Sequence, residues 1–499
     1  MLTRLQLLKQ ITFGEQVAED EANVLANYFV ETNDWARISR GEIDIVRGEK
    51  GAGKSAIYSL LLNRSGEFFD RNVMLIAAEN PRGATVFRDL SAEPPTTERE
   101  FIALWKLYTL ALIAREARAY DLRGQDLDIV YRALESAHLL ERDSTLAGLL
   151  RGIQEYVRRL IHLEALEGGV QFDPATQMVS GLSGRIILSE PGVSLRNTPV
   201  VSVDKLLSVM DAALRSRGWN VWVLFDRLDV AFVENHELET NALRALIRTY
   251  LDFKAYTQIS LKVFLREDIW TRLVEGGFRE HSHVVKYVVL NWDDESLLNL
   301  IMRRLLNNKT IADEFGIDVH AILADYDKQV ELFYRFFPDQ VEQGPQKAKT
   351  FKWLIGRCAD GTKKTAPREL IHLSNSIRDT EIRRLERGDT PTEGMQLFDR
   401  SVFKAALPIV SKTRLTSYLY AEYPSERPVI AKLEGQKTEQ TPESLAALWQ
   451  MTNDEATAKA RQLKSLGFFE ERGTREQPTF WIPFLYRDAL SLVQGKADD

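Results

Sequence analysis

Cysteine is almost missing: Cys358 is the only one in 499 residues. A disulfide framework is therefore excluded, and a lone thiol is ordinarily a small buried apolar group. This usage fits a reducing cytosol. Long apolar runs are missing too. No uninterrupted stretch approaches a membrane span. The opening residues, MLTRLQLLKQITFGEQ, lack the apolar core of a signal peptide. The expectation is a cytoplasmic chain without a membrane partner. The seven histidines form no His-x-x-x-His pair, and no zinc-ligand spacing occurs. There is no internal repeat and no low-complexity tract. Positive charge is not in excess either. The formal net charge is −7, so any nucleic-acid site must be a local patch. No nuclease, protease or deaminase motif is visible, and chemistry of that kind would need a partner.

What is present is ample core material, 44% apolar residues, in a chain long enough for roughly two to four domains. It is organised around Gly48-Glu49-Lys50-Gly51-Ala52-Gly53-Lys54-Ser55, followed by Ala56. This fits the phosphate-loop pattern Gly-x-x-x-x-Gly-Lys-Ser/Thr. Ile43, Ile45 and Val46 form a short β run before it, and AIYSLLL continues as a helix after it. In that order the glycines let backbone N–H groups turn toward a polyphosphate, and the helix N-terminus adds its positive dipole end. Lys54 would reach the β- and γ-phosphates of ATP, and Ser55 would place its hydroxyl on Mg²⁺.

The rest of the chain reads as an α/β protein with a doubly wound parallel sheet and a large helical insertion, followed by a helical lid and a winged helix. Further strands are expected at Asn72–Ala78, Val221–Phe225, Ile259–Leu265 and His283–Leu290. A helix is expected over Glu15–Thr32, where Phe13 or Trp35 could stack on a base or be ordinary core aromatics. Thr97–Arg118 carries Phe101, Leu104, Trp105, Tyr108 and Leu112 at helical spacing. Boundaries follow at residues 1–42 for an N-terminal helical segment and 43–290 for the core, with its insertion at about 97–217. The lid covers 291–405. The C-terminal domain covers 406–499, with Pro408 at its start. There, helices lead to FFEER and TFWIP, which read as a hairpin.

Several polar residues stand where open α/β sheets bind ligands. Asp226 ends the strongest β run and can hold the Mg²⁺ water shell or cap a helix. Asp229 could orient or deprotonate the attacking water, or be a solvated loop acid. Arg266 ends the next strand, where it could sense the γ-phosphate or pair with Glu267, Asp268 or Asp226. Arg368, at a helix start in the lid, could reach the same phosphate. Arg279 could act on a neighbouring subunit or simply be a surface arginine. In the C-terminal domain Lys459, Arg461 and Lys464 would face a groove, and Arg472 and Arg475 lie on the wing. Glu470, Glu471 and Glu476 beside them leave the choice between DNA and protein contact open, and a DNA-binding helix-turn-helix usually shows a clearer basic face.

Together these residues resemble the STAND and origin-recognition-like branch of the AAA+ ATPases. The matching pieces are GEKGAGKS, VLFDRLD, a strand ending in FLR, the Leu290-Asn291-Trp292 entry to the lid, TAPREL and the C-terminal winged helix. The resemblance gives Asp226 the Mg²⁺ role, Asp229 the catalytic-acid role, and Arg266 and Arg368 sensor roles. From FGEQVAEDEANVLANYFVET through KGAGKSA to FDRLD and PRELI, the chain is also similar to a bacterial P-loop ATPase family often suspected of roles in defence against phage. Val230 departs from that pattern, since many relatives carry Glu there, and this implies slow hydrolysis. The resemblance thus implies an ATP- and Mg²⁺-dependent switch ATPase. It would act in anti-phage defence as a homo-oligomer or with a partner effector. The alternative is a DNA-binding ATPase akin to replication initiators and loaders, and a third class is a scaffold that binds ATP without hydrolysing it.

Overall fold

The computed structural model describes residues 2–497 except 18–19, 22–23, 81–84, 92–94, 96, 142–144, 167–186, 189–200, 229–235 and 394. By their internal contacts the residues form two compact units. One comprises 33–48 and 54–289; the other comprises 1–32, 49–53 and 290–499.

The first unit is α/β. Its sheet has five strands, β1 (Ile45–Gly48), β2 (Val73–Ala77), β3 (Asn220–Phe225), β4 (Ile259–Arg266) and β5 (Tyr287–Val289), in the order β2-β3-β4-β1-β5. Every pairing is parallel. β3 is buried from Val221 to Phe225, as a continuous apolar run in a sheet covered on both faces should be. The chain leaves β1 for the far edge at β2 and ends on the other side of β1 at β5. The sheet therefore switches direction at β1, and a crevice at the carboxyl ends of such strands is where open α/β sheets take ligands. The phosphate-loop pattern begins there, at Gly48, and helix Lys54–Asn63 follows it.

Helix Glu98–Ala119 starts at Thr97, whose side chain accepts from Glu100 N–H. The apolar stripe expected on one face is wider in the structure: residues from Phe101 to Ala114 are buried almost all round, as in a helix that runs through a core. Three of its buried polar side chains find partners, while Thr109 Oγ1 is buried without a hydrogen-bond partner. Trp105 Nε1 donates to Ala242 O at 2.9 Å, Tyr108 Oη donates to Ala78 O at 2.8 Å, and Lys106 pairs with Asp204 and Asp252. Ser202 caps helix Val203–Ser216, and Gly218 at φ +71° follows its end.

The second unit is mainly helical. Helix Asp294–Leu306 is capped by Asp293, which accepts from Ser296 N–H at 2.8 Å. Helix Pro367–Glu386 has proline in its first turn, where the missing N–H costs nothing. Pro408, expected at a boundary, lies inside helix Ser401–Thr413. That helix continues through a π-helical turn, Arg414–Leu419, into Tyr420–Glu422. Helices Pro442–Trp449 and Asn453–Ser465 then lead to a four-stranded sheet. It is made of β6 (Lys437–Gln440), β7 (Glu470–Gly473), β8 (Pro478–Trp481) and β9 (Val493–Lys496), in the order β9-β6-β8-β7. β7 and β8 form the antiparallel hairpin expected from FFEER and TFWIP.

Near the N-terminus the structure departs from expectation. Among the described residues of 15–32 there is only a 3₁₀ turn, Leu25–Asn27, and Val24 is 46% exposed. Helices instead occupy Arg4–Gln10, with a Thr3/Gln6 capping box, and Asn33–Ser39. Tertiary pairing overrides local propensity here. Glu21 is drawn into a bidentate bond with buried Arg304, at 2.9 Å on both oxygens, and also accepts from Glu15 N–H. Phe13 packs in the core at 0% exposure beside Phe398, and Trp35 is buried under Arg64. Both are therefore core aromatics.

Candidate phosphate-loop site

Within the α/β unit, the carboxyl edge of the sheet gathers charged and polar groups from three adjacent strands. Gly48 pairs with Arg266 in the β1–β4 register. Lys54 Nζ donates to Gly48 O at 2.8 Å, folding the lysine back over the start of its own loop. Asp226 sits just past β3 at 4% exposure. Arg227 follows it at φ +58°, a left-handed conformation that is uncommon outside glycine. Its Nη1 donates to Asn80 O at 3.4 Å. Arg266 turns its guanidinium onto Asp268, at 3.0 Å from Nε and 2.9 Å from Nη2. Asp268 is one of the carboxylates named as its possible partners.

Sequence reading missed Glu79. The β2–β3 register pairs Ala77 with Leu224, and Ala78 N–H extends it to Leu224 O at 2.9 Å. Glu79 and Asp226 each follow that pair by two residues. Glu79 is fully buried. Its carboxylate accepts from Thr85 Oγ1 and from the N–H groups of Asn80 and Val86. Burial pushes its carboxyl above the ordinary range against those bonds. Tyr58, on the helix after the loop, donates to Glu79 O at 2.5 Å. Burial first, and Asp226 second, hold its phenol well above its ordinary value. The rule that singled out Asp226, a carboxylate just past a buried strand, applies equally to Glu79 after NVMLIAA.

Residues Glu49–Gly53 of the loop make their contacts within the helical unit. Gly51 and Gly53 adopt φ +83° and +98°, which only glycine does at little cost. A Cβ on Gly51 would stand 3.1 Å from Arg368 Cβ and 3.4 Å from Ala366 Cβ. Trp292 Nε1 donates to Ala52 O at 2.9 Å. Glu49 pairs with Lys364 at 3.0 Å and accepts from Thr362 Oγ1 at 3.2 Å. Lys50 pairs with Glu422 and lies 5.3 Å above the Tyr418 ring. Arg368 stacks on the same ring at 4.9 Å, and its Nε donates to Gln16 O at 3.3 Å. Its Nη1 is buried without a hydrogen-bond partner. A close-approach glycine turn beside an orphaned guanidinium N–H fits an anion such as a polyphosphate. Tyr418 and Glu422 carry no motif signal and emerge only from the fold.

Asp229 and Val230 lie outside the described residues. Arg279 is exposed at the start of a 3₁₀ turn, Arg279–His283, before β5. The basic residues of the C-terminal helix are paired internally. Lys459 meets Glu426 at 2.6 Å, and Arg461 and Lys464 both meet Glu471, at 3.0 and 2.7 Å. On the hairpin, Arg472 meets Glu470 at 2.8 Å, while Arg475 is exposed. Phe468 and Phe469 are fully buried core, leaving Trp481 partly exposed under Arg472. Cys358 is buried. No three-ligand metal cluster of His, Cys, Asp or Glu occurs among the described residues, and no helix there is long and apolar enough to cross a membrane.

No family model matches the chain. It is 25% identical over 307 residues to the "Putative transposon gamma-delta 80.3 kDa protein" of Escherichia coli (strain K12), a match that covers 60% of the chain. The chain spans only 40% of that relative's length. Among solved structures, it is similar to the Aeropyrum pernix ORC1 protein in complex with DNA, at 11% identity, TM-score 0.35 and 93% coverage of both chains. It is also similar to Cdc6p from Pyrobaculum aerophilum, at 10% identity, TM-score 0.30 and 93% coverage of both. Scores this low carry no argument, and the α/β assignment rests on the parallel sheet and its glycine-rich loop.

Proposed function

We propose that the chain is an ATP-binding, slowly hydrolysing switch ATPase of the AAA+ type. The observation that carries this reading is the glycine-rich loop between β1 and helix Lys54–Asn63, with Asp226 at the end of β3. Backbone N–H groups of the loop would hold the β- and γ-phosphates, and Lys54 would exchange its bond to Gly48 O for them. Ser55 and Asp226 would hold Mg²⁺, which neutralises charge on the phosphates when bound. Asp229 is the proposed group that orients the attacking water. Arg266 would sense the γ-phosphate by leaving Asp268, and Arg368 would offer its orphaned Nη1. Nucleotide must then favour one arrangement of the C-terminal segment over another for the chain to act as a switch.

As biological role we infer a regulatory or sensor component of anti-phage defence that docks a partner effector. The internally paired Lys459, Arg461 and Lys464 support protein docking over DNA contact. An initiator-like, DNA-binding ATPase is the second reading; the name of the DNA-bound ORC1 structure suggests it, without adding weight.

The test of the nucleotide reading is thermal. ATP with Mg²⁺ should raise the melting temperature of the wild type by several degrees, and Lys54→Ala should abolish the shift. Equal shifts for both proteins would refute it.

A further inference from the structure

Glu49 to Ala52 are each held by a different part of the helical unit. Two of the four contacts are ionic, and both involve carboxylates. Lys50 is paired with Glu422, whose side chain is 16% exposed, and sits over Tyr418. Glu49 is paired with Lys364. Tyr418 belongs to the π-helical turn Arg414–Leu419, and Glu422 lies in the turn just after it. Inserted π turns recur at functional sites because they re-aim side chains out of α-helical register. The π turn is anchored at its start. Arg414 bonds Glu369 at 2.8 Å, and Glu369 follows Arg368 in the helix that flanks Gly51. The segment 414–422 thus touches the neighbourhood of the loop at both ends.

A polyphosphate in this loop would carry several negative charges. It would attract the Lys50 ammonium and repel the Glu422 carboxylate that holds it. We propose that Glu422 is an internal competitor for the phosphate loop: its carboxylate holds Lys50, and nucleotide binding displaces it and releases segment 414–422. This rests on the nucleotide reading of the loop and adds the regulation of that site. Tyr418 and Glu422 are positioning residues, acting through Lys50. By linkage, whatever factor the latch costs in nucleotide affinity is the factor by which nucleotide weakens the latch.

The experiment compares the full-length wild type, Glu422→Gln, Lys50→Gln and the double variant by ATP titration with Mg²⁺, with hydrogen exchange over 414–422 as a second readout. Glu422→Gln keeps the shape of the side chain and removes its charge. It should bind ATP roughly fivefold tighter or more, and that gain should vanish in the Lys50→Gln background. Exchange over 414–422 should rise on adding ATP to the wild type and should already be high in Glu422→Gln without ATP. A purely structural Glu422 predicts the opposite sign, with weaker binding in Glu422→Gln. Wild-type binding with unchanged or weaker binding by Glu422→Gln overturns the latch and leaves the nucleotide reading standing. A gain that persists in the Lys50→Gln background also overturns it. Absence of ATP binding by every variant overturns both.

Discussion

At the scale of single residues, the least expected behaviour belongs to carboxylates near the loop. Asp360 is pushed up to about 6, by burial first and by the neighbouring Glu49 carboxylate second. It accepts from Thr362 N–H at 2.8 Å and from Thr362 Oγ1 at 2.7 Å. The folded carboxyl therefore keeps its proton to higher pH than the unfolded one. Its contribution to stability is full below the unfolded value of about 4 and is lost as pH rises through about 6. Asp360→Asn retains an acceptor oxygen for Thr362 and cannot ionise. It should flatten the melting temperature between pH 4 and 6 and melt a few degrees higher than the wild type at pH 7.5. Parallel pH profiles for the two proteins would show that Asp360 does not titrate as described. Nothing in the sequence marks this aspartate, because Glu49 is distant from it along the chain.

At the scale of elements, most starts and stops are local. Thr97, Ser202, Asp293 and Thr441 each cap the helix that follows, and Gly467 at φ +77° comes just after helix Asn453–Ser465. Two elements were not readable. Pro408 neither ends nor begins its helix, since Val402, Phe403, Ala406 and Val410 bury the same helix on both sides of it. The expected Glu15–Thr32 helix gives way to a segment pinned by Arg304. That guanidinium, 6% exposed, bonds Phe13 O at 2.6 Å and both oxygens of Glu21, itself 3% exposed. Arg304→Met should cost about 3–5 kcal/mol in denaturant unfolding, because it leaves the Glu21 charge buried without its partner. A cost under about 1 kcal/mol would mean that the pair does not pin this segment.

At the scale of the molecule, the question is what its charge allows it to touch. A net −7 chain can bind nucleic acid only through a local patch, and four of the five residues expected to form one, Lys459, Arg461, Lys464 and Arg472, spend their charge on Glu426, Glu470 and Glu471. The full chain should therefore bind duplex DNA poorly even at low salt. Glu471→Gln frees both Arg461 and Lys464. It should strengthen DNA binding and steepen its salt dependence by up to about two counterions. Tight, steeply salt-dependent binding by the wild type would promote the initiator-like reading over effector docking.

The sequence by itself determined what depends on neighbours along the chain. The phosphate-loop pattern, the apolar strands of the parallel sheet, the helix caps and the C-terminal hairpin all follow from spacing and local backbone chemistry. Tertiary structure decided what depends on partners far apart in sequence. Glu21 meets Arg304 across 283 positions. Arg266 spends its guanidinium on Asp268, although an arginine in that place suits a phosphate equally well. Tyr58 donates to Glu79 O across 21 positions. Lys50 finds Glu422 only because a π turn brings that carboxylate round to the loop. The physical reason is the same in each case. A buried charge or polar group must find a partner, and only the folded chain decides which partner is within reach.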